Sequence, residues 1–333
     1  MSKTQARELM VGSIGFRYEA IAHWDQLPDG WDYIDVVAIA TDDQDRVYVL
    51  NRGEHPLIVY DRAGRFLRSW GEGLFQRPHG LWIDNGVMFV TDDIGHAVYK
   101  FTLGGEPLLT LGRPNHPSDS GVKDFDYRTI KQGAGPFNLP TNLAVGPEGE
   151  LFVTDGYGNA RVHRFSPDGE LILSWGDPGN GPGQFNLPHG IFLDSNRRVF
   201  VADRENNRLQ IFSTEGRLLD HWEAILRPTQ IYIDANDHVY VAEEGHWAGL
   251  FPWMQPDPSS SGGRLSIYDG GGKLLSRWGG GERPTAPDDF FAPHDIWLDS
   301  RGDIYVGEVT WAAGGNQQMV PRDCPSIRKF CKR

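Results

Sequence analysis

Cysteine is almost missing: Cys324 and Cys331 are the two present in 333 residues. Two thiols cannot build a disulfide framework, and their spacing brings no companion ligands for a cysteine-based zinc site. They are expected as unpaired surface thiols in an intracellular, cytoplasmic protein. Long apolar runs are missing too. Nothing approaches the ~20 residues of a spanning helix, which excludes an integral membrane role, and Met1–Met10 carries charge without the apolar core of a secretory leader. Excess positive charge is absent. Lys and Arg number 32 against 45 Asp and Glu, a net charge of −13, so a nucleic-acid backbone or anionic membrane would be repelled. The 3.6-residue apolar period of helices does not recur either.

Glycine and proline are abundant, at 41 and 22 residues, as many short strands with tight turns require. A unit repeats: an apolar strand, a turn, a Val/Tyr/Phe-rich strand ending in an acidic or amide residue, a third strand, a D-x-x-G type turn and a fourth strand often ending in Trp-Gly. The second strands are Val47–Leu50, Met88–Thr91, Leu151–Thr154, Val199–Ala202, Val239–Ala242 and Ile304–Gly307, followed by Asn51, Asp92, Asp155, Asp203, Glu243 and Glu308. Six such units predict an all-β fold, a six-bladed β-propeller spanning 1–333 as one domain. The sixth unit stops after a third strand, Ser326–Lys332, while Phe16–Trp24 reads as an orphan fourth strand. Pairing them closes the ring and removes an exposed edge. Insertions at Arg113–Asn138 and His246–Gly263 fall on one face. The second holds Trp247, Leu250, Phe251, Trp253 and Met254, and is either a substrate wall or a loop packed on its own blade.

The first position of the innermost strand is His79, His189 and His294 in blades two, four and six, and Val37, Thr141 and Thr229 in blades one, three and five. Alternate blades sit about 120° apart by six-fold geometry, so three imidazoles are expected to converge on the axis. Three histidines with one open position are a catalytic zinc pattern, although such a triad also accepts iron, cobalt or copper. The other histidines, such as His55, His116, His163 and His238, show no such register and are expected as surface or packing residues. Asp295, beside His294, brings a carboxylate near the axis. With backbone carbonyls it suits calcium; alternatively it orients a histidine. On the same face stand Arg52, Tyr157 and Arg204. Arginine holds carboxylates bidentately, and a nearby cation and metal lower a phenol's pKa, making Tyr157 a candidate base. The structural alternative pairs Arg52 and Arg204 with carboxylates such as Asp155 and Asp203.

The strings Leu-Pro-His-Gly…Val-Ala-Asp-Arg-Glu-Asn-Asn-Arg-Leu-Gln (187–210) and Thr-Asp-Gly-Tyr-Gly-Asn-Ala-Arg (154–161) closely resemble peptidyl-α-hydroxyglycine α-amidating lyase, a zinc lyase among the NHL-repeat propellers. Arg77–Leu81 and Ala292–Ile296 extend the resemblance, which runs from about Val36 to Phe330. It implies zinc on His79, His189 and His294, active-site roles for Arg52, Arg204 and Tyr157, and structural calcium on Asp295 with the carbonyls of Ile39 and Leu81. The implied reaction cleaves the N–C bond of a carbinolamide, such as an N-acyl-α-hydroxyglycine, to an amide and glyoxylate. A separate hydroxylase would supply that substrate, since no copper monooxygenase segment accompanies these strings. Gly158 stands where the animal enzymes have cysteine, and the family's disulfides are missing, which points away from secretion and a peptide-hormone role. A metal-dependent hydrolase or lactonase and a non-enzymatic NHL interaction module are the alternatives. RNA-binding modules need a basic face, which this composition does not provide.

Overall fold

The computed structural model describes residues 9–257 and 259–333; most of the Met1–Met10 stretch, and Pro258 within the second insertion, lie outside the described residues. Six antiparallel sheets form a ring. Blade one is typical, running outward from Val36–Thr41 through Val47–Asn51 and Leu57–Tyr60 to Phe66–Trp70. The inner three strands of this blade are buried throughout, because neighbouring blades cover both faces, whereas the outermost is only partly covered. That sandwiching explains why inner strands are nearly continuous in Val, Ile, Tyr and Ala rather than alternating. The ring is therefore a six-bladed β-propeller.

The Trp-Gly signature has a packing cause. Four outer strands, those of blades one, three, four and five, carry a tryptophan at or near their end that packs against an aromatic residue on the third strand of the next blade, while blade two has Leu111 there. Trp70 meets Phe101, Trp175 meets Phe212, Trp222 meets Tyr268 and Trp278 meets Phe330, with ring centroids 5.4–5.8 Å apart. For Trp70, Trp175 and Trp222 the glycine of the turn after that third strand, Gly105, Gly216 and Gly272, also sits on the indole. A Cβ at Gly272, where φ is +87°, would lie 2.8 Å from Trp222. Blade six lacks the motif, and Trp24 replaces it by packing on Tyr60.

Ring closure follows the expected route with altered bounds. Phe16–Ile21 pairs antiparallel with Ile327–Lys332, Ala20 opposite Phe330. The strand ends at Ile21, so Trp24 packs from the segment beyond it. A further strand, Leu9–Ser13, folds back on Phe16–Ile21 through a two-residue turn, Ser13 opposite Phe16. It makes blade six five-stranded and ties to blade five, where Ser13 bonds Ser276 and the Leu275 carbonyl. Among the described residues no helix is long and apolar enough to cross a membrane. Both cysteines are free, but Cys324 is buried rather than a surface thiol, because it joins the hydrophobic cluster of blade one and its thiol faces the Pro284 carbonyl.

Candidate metal centre and its surroundings

Each innermost strand begins one residue before the position read from the sequence: Pro78, Pro188 and Pro293 precede the three histidines. Pairing with the second strand is irregular at this point in all six blades. Such irregularities re-aim side chains, and here they bring His79, His189 and His294 together. Their ring centroids lie 4.7–4.8 Å apart, and one ligand atom from each lies within 4.8 Å of the others.

The intervening blades set the ring orientation. The Nδ1 groups of His79, His189 and His294 donate to the carbonyls of Thr141, Thr229 and Val37, each at 2.7 Å. These are the residues at the same register in blades three, five and one. A carbonyl only accepts, so Nδ1 carries the proton and the Nε2 lone pair is left for a metal. Burial, reinforced by the neighbouring imidazoles, pushes the pKa of His79 and His189 far below the ordinary value. Burial and the Arg52 charge bring His294 to about 3. The rings are thus neutral, the ligating form. Three converging Nε2 atoms with fixed tautomers suit zinc.

Tyr157 caps the triad, its hydroxyl 3.1 Å from Nε2 of both His79 and His189. Desolvation raises its pKa, although Arg204 and Arg52 act in the opposite sense, so the protein groups alone do not produce the lowered phenol expected from the sequence. Arg204 Nη1 donates to the Tyr157 hydroxyl at 3.4 Å. Arg52 stands on blade one, its Nε donating to the Pro78 carbonyl at 3.4 Å. The structural alternative, pairing of these arginines with carboxylates, holds in kind but with partners other than Asp155 and Asp203. Arg52 lies 3.7 Å from Asp35 and 3.8 Å from Asp93, and Arg204 binds Glu205 at 2.9 Å. Asp155 instead meets His163, a buried packing residue, and Asp203 meets Arg208. The second strands carry their end residues outward, toward the third strands, and the residue after them inward.

Asp295 does not orient His294, whose Nδ1 goes to Val37. Its carboxylate accepts instead from the Ile39 and Ile296 amides at 2.7 and 2.9 Å, and burial raises its pKa to about 7. Ile39 is buried on the adjacent innermost strand, of blade one, and Leu81 on that of blade two. Three residues along the strands from the histidine register, Trp82, Phe192, Tyr232 and Trp297 pack together, centroids 4.9–5.3 Å apart in successive contacts. This aromatic cluster fills the channel beyond the histidines.

On the other side the two insertions meet. Tyr127 of the first lies 5.2 Å from Phe251 and 5.8 Å from Trp253 of the second. Phe251 and Trp253 stack on each other, Phe251 lies 6.3 Å from the Tyr157 ring, and the Arg204 guanidinium lies against both Tyr157 and Phe251 at 5.5 and 5.4 Å. The second insertion is therefore a wall over Tyr157 rather than a loop confined to its own blade. Sequence reasoning missed Asp35, Arg77, Asp93, Glu205, Arg227 and Glu244, charged neighbours of the two arginines. A signal existed: most stand just before an innermost strand or one residue beyond the end of a second strand, the register that also holds Arg52 and Arg204.

An NHL repeat model matches residues 137–165 and 185–212. The chain is 40% identical over 265 residues to peptidyl-glycine alpha-amidating monooxygenase A of Xenopus laevis, covering 76% of this chain and 26% of that protein's length. Peptidyl-alpha-hydroxyglycine alpha-amidating lyase 1 of Drosophila melanogaster is 31% identical over 275 residues, covering 76% of this chain and 46% of the relative. NHL repeat-containing protein 3 of Mus musculus is 34% identical over 293 residues, covering 83% and 76% respectively. Among solved structures, a streptogramin B lyase superposes with a TM-score of 0.60 at 12% identity, covering 96% of this chain and 98% of that one. At that identity the likeness concerns the fold alone. The chain belongs to the NHL-repeat propeller family that includes the peptidyl-α-hydroxyglycine α-amidating lyases.

Proposed function

We propose that the chain is a zinc-dependent carbon–nitrogen lyase acting on a carbinolamide of the N-acyl-α-hydroxyglycine class. The observation that carries this reading is the phenol of Tyr157 placed 3.1 Å from two of three converging imidazole nitrogens. A zinc ion held by His79, His189 and His294 supplies a dense positive charge that favours the ionised forms of a nearby phenol and substrate hydroxyl. Tyr157 takes the hydroxyl proton of the substrate. The oxygen electron pair then forms the carbonyl of glyoxylate, the C–N bond breaks, and its pair stays on nitrogen, to which Tyr157 returns the proton. Amide and glyoxylate together account for every atom. Arg204 steadies the phenolate from Nη1, and Arg52, the more exposed of the two, stands with Arg204 on the side where an anionic substrate group would bind. The aromatic wall excludes water above this pair, and the filled channel beyond the histidines leaves the insertion face for entry. A hard cation such as calcium, on Asp295 with the Ile39 and Leu81 carbonyls, belongs to the same reading as a structural element. The substrate must come from a prior hydroxylation at the glycine α-carbon.

Zinc-loaded protein is expected to release glyoxylate from N-benzoyl-α-hydroxyglycine. Tyr157→Phe should keep its zinc and lose at least about 100-fold in kcat, the range of a lost general acid–base group. A fully active Phe variant would remove Tyr157 from the mechanism. Opening of a lactone panel without glyoxylate release would replace the lyase by a hydrolase.

A further inference from the structure

Behind Arg204 a buried chain of charges continues through Glu205, Arg227 and Glu244, three residues to which the proposed chemistry gives no role. Arg204 Nε donates to Glu205 Oε1 at 2.9 Å. The same oxygen accepts from Arg227 Nη2 and Nε at 3.1 and 3.3 Å. Arg227 Nη2 is also 3.0 Å from Glu244 Oε2. Arg204, Arg227 and Glu244 are 0–1% exposed. Although burial works against its charge, Arg204 is held firmly cationic by Tyr157, Glu205 and Glu244. A guanidinium offers five donors in a fixed fork. Here Nε is bound to Glu205 and Nη1 faces the phenol. Nη2 is buried and has no hydrogen-bond partner among the described residues, an arrangement that costs stability unless an acceptor arrives.

We infer that Glu205 and Arg227 are positioning residues: Arg227 fixes Glu205, Glu205 fixes the Nε edge of Arg204, and the fork then presents Nη1 to Tyr157 and Nη2 to a carboxylate oxygen of the substrate. This rests on the reading that Arg204 and Tyr157 act on the substrate, and it adds how the guanidinium is aimed and which atom meets the anionic end. If the pairs served only to hold the segment around Arg227 to blade four, their loss would lower stability and leave ligand binding unchanged.

The test uses the zinc-loaded full chain. Zinc content and Tm are measured for each variant, with kcat and KM for glyoxylate release and calorimetric affinity for N-acetylglycine, an unreactive analogue bearing the same carboxylate. Glu205→Ala is expected to weaken analogue binding and kcat/KM about tenfold or more, as for a lost charge-assisted contact, with zinc content unchanged. Glu205→Gln, whose amide oxygen still accepts from Nε, should recover most of that loss. Arg227→Lys should stay within about threefold of the parent and Arg227→Met should not, again on the scale of one charge-assisted contact. The two lysine and glutamine variants keep the test open should the harsher ones fail to fold. Placed on Arg204→Ala, Glu205→Ala should add nothing. Retention of its full effect in that background, or unchanged analogue binding in Glu205→Ala with zinc intact, overturns the inference. Analogue binding without glyoxylate release rejects the lyase reading while the order of variant affinities still decides the positioning claim; a parent protein that does not bind the analogue rejects the positioning claim itself.

Discussion

An imidazole ligates through a neutral nitrogen, and the three channel histidines are held neutral by burial and fixed as tautomers by carbonyls of the neighbouring blades. His189→Ala removes one donor, and zinc affinity is expected to fall at least about 100-fold, beyond the usual effect of an outer partner; elemental analysis after dialysis reads it. The same burial ties the metal-free protein to pH. Each ring has a folded pKa below its unfolded value near 6.5, so at lower pH the unfolded chain binds protons that the native state does not. Stability is complete above about pH 6.5 and declines as pH falls below it, for His294 down to about 3, by up to ~1.4 kcal/mol per pH unit for each ring. Metal-free His294→Gln should show a shallower decline of Tm between pH 7 and 5 than the metal-free parent. An equally steep decline would assign the acid sensitivity to the carboxylates.

Between blades, an aromatic contact recurs, and at Trp222 the indole is shared between a large side chain, Tyr268, and a turn glycine. Gly272 occupies left-handed backbone at φ +87°, and its missing side chain leaves room for Trp222. Gly272→Ala adds both backbone strain and a collision, so Tm should fall by several degrees. Trp222→Ala leaves a cavity between blades four and five and should cost about 3–5 kcal/mol by denaturant unfolding. Both changes lie at the rim, far along the sheet from the histidines, and neither should alter zinc content of the folded fraction. The strands, the repeat and the D-x-x-G turns were legible in the sequence because local chemistry dictates them. The hairpin partner Leu9–Ser13 was not. Its two-residue turn at Ile14-Gly15 joins strands too short to stand out, and its value comes from Ser13 reaching blade five.

Across the whole ring, closure joins residues at opposite ends of the chain, Ala20 with Phe330 and Ile21 with Lys329. Removing residues 1–21 exposes the backbone edge of Ile327–Lys332 and the aromatic surface around Phe330 and Trp278. Such edges recruit other chains, so the truncated protein is expected to aggregate and to lose cooperative unfolding, read by light scattering and calorimetry. A monomeric, cooperative product would place the stability of blade six in its inner three strands.

The sequence by itself determined the blade count, the route of closure and the alternating histidine register, because each depends on local pattern and on a repeat that counts itself. It also placed Tyr157, Arg52 and Arg204 on the histidine face, through strand direction alone. Only the tertiary structure decided which carbonyls turn the imidazoles, that Arg204 binds Glu205 rather than Asp203, that Cys324 is covered, and that the two insertions meet above Tyr157. Those outcomes depend on side chains from different blades arriving at one point. Spacing along the chain places a residue on a face, but its partner is set by the packing of the ring.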